Sequence, residues 1–314
     1  MWNIQYQPYR LRLAIPHSHK KEHALVGVVI SLRDVTLSRG YRMGFADLRP
    51  WPELGDLPLM NYQEKLNRYT QRLWKKMELL EVIQLEQDPL FRAVLRNLWD
   101  FYRYGPAIRE WIRKKRGWPS CNELILDVKG FWARKDSSFR TMNFRIPQVI
   151  KIKLREGDWE NPWWLKLSRL FPRARWRLDL NCSGNPEELL RWINQLEHSI
   201  KRRIEYIEDP SIYDEDGWRA INQHIPVALD FALDWHSDTF LRGKRRKAFS
   251  VLVFKPSRQN VDEVPGKDIP LTVTTHLGHF VDWLWSWWMF ARLKDKGYKV
   301  NSVSGLTYFF SDGL

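Results

Sequence analysis

One stretch of the chain repeats a rhythm that few folds accommodate. Between residues 123 and 275, seven short β-like runs recur: ELILDV (123–128), VIKIKL (149–154), RWRLDLN (175–181), RIEYIED (203–209), PVALDF (226–231), FSVLVFK (249–255) and PLTVTT (270–275). Helix signals fill several of the gaps. In NPEELLRWINQL (185–196) Asn185 suits a cap, Pro186 the first helical position, and Glu187 and Glu188 complement the helix dipole. Strands alternating with helices predict parallel β/α units. This many units predict a β/α barrel rather than an open sheet.

The charges in these runs fall in a pattern. In an extended VIKIKL, period two puts Val149, Lys151 and Lys153 on one face and Ile150, Ile152 and Leu154 on the other. Arg177, Asp179 and Asn181 share a face of the next run. Glu208, Asp230 and Lys255 each stand near the C-terminal end of theirs, with Pro210 and Pro256 close behind. An acid at one strand end is more often a cap or half of a salt bridge, and a lone lysine usually snorkels. The ordered set carries the reading, because barrel strand ends converge on one mouth, where active sites sit.

Three carboxylates facing one another need a cation to stay ionised together. An all-oxygen set suits a hard ion, and Mg²⁺ is the first choice. Lysines on opposite sides of that ion face the substrate. Clustered positive charge lowers a lysine's pKa, so Lys153 is expected to accept a proton. A carboxylate substrate that loses its α-proton becomes an enediolate, whose charge the ion and the opposite lysine stabilise.

The first 60 residues read as β-rich, with ALVGVVISL (24–32) strand-like and GFADLRPWPELGD (44–56) a loop. From Asn61 to about Gly117 the apolar spacing turns helical. Lysine and arginine number 51 against 37 acids, a formal +14, which favours acidic partners without choosing among them. Cys121 and Cys182 are the only cysteines, too few for a disulfide framework, and fit a reducing cytoplasm. The N-terminus lacks the apolar core of a signal peptide. FVDWLWSWWMFARL (280–293) contains Asp282 and Arg292 and falls short of the roughly 20 residues of a membrane span. It reads as an amphipathic or buried helix, and no membrane partner is expected.

A rival from another class is a nucleic-acid-binding module, drawn from the basic charge, RGKRRK (242–247) and Trp283, Trp285, Trp287 and Trp288. It gives no role to acids and lysines at strand ends, so no nucleic-acid partner is expected. HSHKKEH (17–23) reads as a basic lid or a solvated loop, with His19 and Lys20 candidates for meeting an anionic substrate.

The motifs KIK (151–153), LDLN (178–181), IEDP (207–210), ALD (228–230) and FKP (254–256) follow in the order of the enolase superfamily. Within its muconate-lactonizing subgroup they resemble the o-succinylbenzoate synthase family. Their steps from Lys153 to Lys255 are 26, 29, 22 and 25 residues. GFADLRPWPELGD resembles the family's cap-domain loop, and SGLTYFFSD (304–312) its C-terminal tail.

The resemblance implies an α/β protein, a modified (β/α)8-type TIM barrel with an α+β capping domain. Residues 1–118 would form the cap, with a C-terminal return at 299–314, and residues 119–298 the barrel. It implies Mg²⁺ on Asp179, Glu208 and Asp230, with Asn181 and Asp209 behind them. Lys153 would be the base, Lys255 would stabilise the enediolate from the other side, and Lys151 would support Lys153. The implied reaction is dehydration of a small anionic carboxylate, 2-succinyl-6-hydroxy-2,4-cyclohexadiene-1-carboxylate, in menaquinone synthesis. N-acylamino acid racemase or dipeptide epimerase is the alternative within the superfamily. A monomer is the expectation.

The departures concern substrate placement. Phe231 stands where an acid usually follows the third ligand, with Asp234 or Asp209 available to compensate. TTHLGH (274–279) stands in place of the seventh-strand motif, keeping hydroxyls at Thr274 and Thr275 but no glutamate. Asp47 replaces the cap motif's glutamate.

Overall fold

In a computed structural model of the chain, the structure describes residues 2–12, 24–36, 42–52, 55–70, 73–114, 120–121, 123–125, 148–160, 162–230, 248–259, 264, 267–276 and 278–305. The stretches 17–23, 231–247 and 306–314 lie outside them. So His19, Lys20, Phe231, Asp234, RGKRRK and most of the C-terminal tail do too.

The N-terminal part is an antiparallel sheet covered by helices. Strand β1 (Trp2–Arg12) pairs with β2 (Ala24–Asp34) over their whole lengths. Strand β3 (Met43–Leu48) flanks β2, and β4 (Leu73–Trp74) flanks β1. Alternation in β2 sends Val28, Ile30 and Leu32 to one face, where they are fully buried. Helices α1 (Leu59–Thr70), α2 (Lys76–Leu85) and α3 (Pro89–Lys114) pack on that face through Leu66, Leu79, Leu90, Val94 and Leu98. Asp88 caps α3 through the amide of Phe91 at 2.8 Å, and Pro89 takes the first position. The segment read as a loop at 44–56 divides: Gly44–Leu48 is strand, because it pairs in register with β2, and only the residues after Leu48 turn away.

The second part is a parallel sheet in simple sequence order. It runs through β6 (Glu123–Ile125), β7 (Val149–Lys153), β8 (Arg175–Asp179), β9 (Ile204–Glu208), β10 (Val227–Leu229), β11 (Val251–Phe254) and β12 (Leu271–Val273). All seven β-like runs of the sequence are these strands. Residues 300–305 close the ring. Val300 and Gly305 bridge to β12, while β13 (Val303–Ser304) pairs with β5 (Ser120–Cys121), just ahead of β6. Residues 300–305, part of the segment expected to return to the cap, thus run between β12 and β5.

Helices α4 (Trp163–Leu170), α5 (Pro186–Gln195) and α6 (Glu215–Asn222) lie outside, over an apolar layer of Ile150, Ile152, Leu178, Ile207, Leu229 and Leu252. Asn185 caps α5 as its sequence predicts, accepting from the amides of Glu187 and Glu188 at 2.9 and 3.3 Å. The alternate residues face inward. There Tyr206, Ala228, Val251 and Val253 form a second, interior cluster.

The tryptophan-rich segment is helix α7 (Phe280–Asp295), and its crowding has a simple cause. It has two buried faces. Trp285 and Met289 meet Phe101 and Ile108 of α3, while Trp287, Phe290 and Leu293 pack on the barrel. No helix among the described residues is long and apolar enough to cross a membrane.

Candidate active site at the barrel mouth

Lys153, Asp179 and Glu208 are the last residues of three adjacent strands and are paired in register. Asp230 and Lys255 come one residue after β10 and β11. All five charges thus stand at one level of the ring. β7 and β11 are four strands apart in a ring of eight positions, so Lys153 and Lys255 rise from opposite walls with the acids on the arc between.

The contacts follow from that level. The Lys151 ammonium donates to both Glu208 oxygens at 2.6 and 2.8 Å and lies 3.0 Å from Asp179 Oδ2. Lys153 Nζ lies 3.4 Å from the same oxygen, and Lys255 Nζ donates to Asp230 at 2.7 Å. Burial disfavours charge on Lys151, but Asp179 and Glu208 outweigh it and hold its pKa well above the ordinary lysine value. Burial pushes Glu208 well up, with Asp179, Asp230 and Asp209 adding to it against Lys151. Asp179 is buried as deeply, yet two lysines and the Asn181 amide hold it low.

The backbone around the mouth is unusual. Asn181, Cys182 and Asp209 have φ of 46°, 62° and 42°, left-handed values that side chains rarely adopt. At Asp209 the turn has a visible result: Asp209 Oδ1 accepts from the Asp230 amide at 3.0 Å. Asp209 therefore fixes the backbone that carries Asp230. The Asn181 amide likewise donates to Asp179 Oδ1 at 3.2 Å.

Below the acids lies a floor. A bulge between β8 and β9 turns Glu205 inward beside Tyr206, and Arg177 donates to Glu205 at 2.6 Å and to the Val303 carbonyl at 2.9 Å. The buried Arg177 guanidinium lies 5.2 Å from the Tyr206 ring centroid.

Thr274 donates to the Gly305 carbonyl at 3.0 Å, so its hydroxyl helps close the ring, and Thr275 is buried. The rest of TTHLGH meets the cap. Arg49 donates to the His276 carbonyl, and His276 Nε2 lies 2.8 Å from the Arg49 carbonyl and 3.0 Å from Arg258 Nη1. Burial, with Arg49, Arg258 and Lys255 nearby, keeps His276 well below its usual pKa and neutral. Asp47 accepts from the Tyr9 hydroxyl and the His279 amide, both at 2.7 Å. Asp56 takes Arg258 in a two-pronged pair at 2.8 and 2.9 Å. Sequence reasoning missed this junction, although the unusual TTHLGH marked one side of it.

The donor set fits a hard divalent ion by its chemistry: three carboxylates at one level, all oxygen. As the side chains stand, lysine ammoniums lie between the acids. Among the described residues no three His, Cys, Asp or Glu side chains are arranged to hold an ion.

A parallel barrel under an α+β cap, with lysines and carboxylates at its mouth, defines the class by its fold: it is the fold of solved enolase-superfamily structures. Comparisons with known proteins narrow this. Residues 4–79 match the family model described as O-succinylbenzoate synthase, N-terminal domain. The chain is 27% identical to the o-succinylbenzoate synthase of Bdellovibrio bacteriovorus, over 94% of this chain and 83% of that protein. Among solved structures it superposes on o-succinylbenzoate synthase from Thermosynechococcus elongatus, which holds magnesium in its active site. That match has a TM-score of 0.69 and 18% identity, covering 96% of this chain and 92% of the other. It also superposes on a dipeptide epimerase from Enterococcus faecalis, complexed with magnesium and L-Leu-L-Tyr. There the TM-score is 0.73 at 12% identity, with coverage of 99% and 92%.

Proposed function

We propose that the chain is an o-succinylbenzoate synthase, a hydro-lyase that dehydrates 2-succinyl-6-hydroxy-2,4-cyclohexadiene-1-carboxylate in menaquinone biosynthesis. The observation that carries this reading is the placement of Lys153 and Lys255 across the mouth from each other. The family model and the curated relative support the choice of reaction.

Asp179, Glu208 and Asp230 would hold Mg²⁺, which supplies positive charge against the charge that builds on the substrate carboxylate. Lys153 takes the α-proton, and the C–H electron pair moves toward the substrate carboxylate, giving an enediolate; it returns to the ring when the hydroxyl leaves. The Lys255 ammonium faces that charge from the opposite wall. Lys153 then returns its proton to the leaving hydroxyl on the same face. The C–O bond breaks, water departs and the ring becomes aromatic. Lys151, tied to Glu208 and Asp179, stays charged and supports Lys153 electrostatically. Thr274, Thr275, His19 and Lys20 are the groups we assign to substrate placement, with the cytoplasm as the compartment. We divide the chain into a cap at 1–118, with a C-terminal return at 299–314, and a barrel at 119–298.

The test is a spectrophotometric dehydration assay with Mg²⁺ and with a chelator. A second reading, racemisation or epimerisation of N-acylated amino acids or dipeptides, rests on the same two lysines and on the fold shared with dipeptide epimerases. Exchange of an α-proton with solvent deuterium on such a substrate, with no dehydration of the cyclohexadiene, would favour it.

A further inference from the structure

Asn97 stands on α3 of the cap, on the stripe that faces the barrel, and is only 8% exposed. It divides its amide between two partners. Nδ2 donates to the Pro256 carbonyl at 2.7 Å, and Oδ1 accepts from Trp285 Nε1 at 3.1 Å. The partners leave no choice of orientation, since a carbonyl only accepts and an indole N–H only donates.

Pro256 directly follows Lys255, and the turn they open is closed on itself. The Lys255 amide donates to Gln259 Oε1 at 2.8 Å. Its carbonyl accepts from the amides of Arg258 and Gln259 at 2.9 and 3.0 Å. Residues 255–259 therefore move as one piece, with the proline ring fixing φ at 256. The cap grips this piece twice, through Asn97 on Pro256 and through Asp56 on Arg258. A lysine ammonium rides on a flexible stem, so the position of its backbone decides where it can reach.

We propose that Asn97 is a positioning residue: through Pro256 it sets the height of the 255–259 turn and so aims Lys255 across the mouth. This rests on the reading of Lys255 as the group facing the enediolate. The cap then does more than cover the barrel, because one of its helices registers a catalytic side chain of the barrel wall.

Three variants separate positioning from packing. Asn97→Asp keeps the shape and the acceptor for Trp285 but loses the donor to Pro256. Asn97→Leu removes both bonds. Trp285→Phe loosens the same contact and leaves the Pro256 bond intact. Both Asn97 variants are expected to lower kcat on the cyclohexadiene about tenfold or more, since small misplacements of a reacting group are costly. KM should stay within about twofold, because uniform binding is untouched. Trp285→Phe should lower Tm and leave kcat near wild type. Amide hydrogen exchange over residues 254–259, which needs no turnover, should quicken in the Asn97 variants and not in Trp285→Phe. Wild-type kcat and unchanged exchange in Asn97→Asp would overturn the proposal. So would equal kcat losses in Asn97→Asp and Trp285→Phe. A wild-type chain that fails to turn over the cyclohexadiene would count against the proposed reaction, while the exchange result still decides the positioning role.

Discussion

At the scale of single residues, the proposed reaction divides the work at the mouth between two lysines and three acids. Lys153→Ala and Lys255→Ala are each expected to lower turnover by about 10³-fold or more, with the far-ultraviolet spectrum and Tm retained, because each group acts on the reacting atoms. The double variant should behave like either single one, as residues acting as a unit do. Substantial activity in either single variant would remove that lysine from the mechanism. Asp47 offers a separate test. Burial and then Asp282 raise its pKa from 3.8 to about 7, against the bonds from Tyr9 and His279. The folded chain thus holds a proton that the unfolded chain releases near pH 4. Asp47 therefore contributes stability below that pH and loses it as pH rises to about 7. Measured by urea unfolding, wild type should lose ground to Asp47→Asn by about 1.4 kcal/mol per pH unit across that window. His276, held neutral by burial, has the opposite sign and is common to both proteins. A difference that does not change with pH would mean that Asp47 is ionised throughout.

At the scale of elements, the barrel was legible because its strands break their own pattern. A strand buried on both faces should end in apolar residues, and Lys153, Asp179 and Glu208 instead end three neighbouring strands. The cap-to-barrel junction was not legible. Asp56 and Arg258 are 202 residues apart, and Arg49 and His276 are 227 apart. No local spacing reports such pairings. The absent glutamate in TTHLGH read as a gap in the substrate site, whereas its backbone amides are spent on Asp47 and Asp282. The glycine there has a steric reason: a Cβ on Gly278 would lie 1.8 Å from Asp47 Oδ2. Gly278→Ala should destabilise the chain by about 1–3 kcal/mol, the usual cost of overpacking, seen as a lower urea midpoint with unchanged slope. An unshifted midpoint would mean that the two segments separate freely.

At the scale of the whole molecule, the tryptophans of α7 have a packing role. Several of the tryptophans fill the layer between α7, the cap and the barrel, and the mouth collects lysines where an anionic substrate would enter. The measurement that tests this most directly is turnover of the cyclohexadiene by purified chain, with Mg²⁺ and then with a chelator. Rapid loss of the diene absorbance, abolished by the chelator and restored by Mg²⁺, is the expected result. Folded protein that leaves the diene untouched in Mg²⁺ would contradict the dehydration.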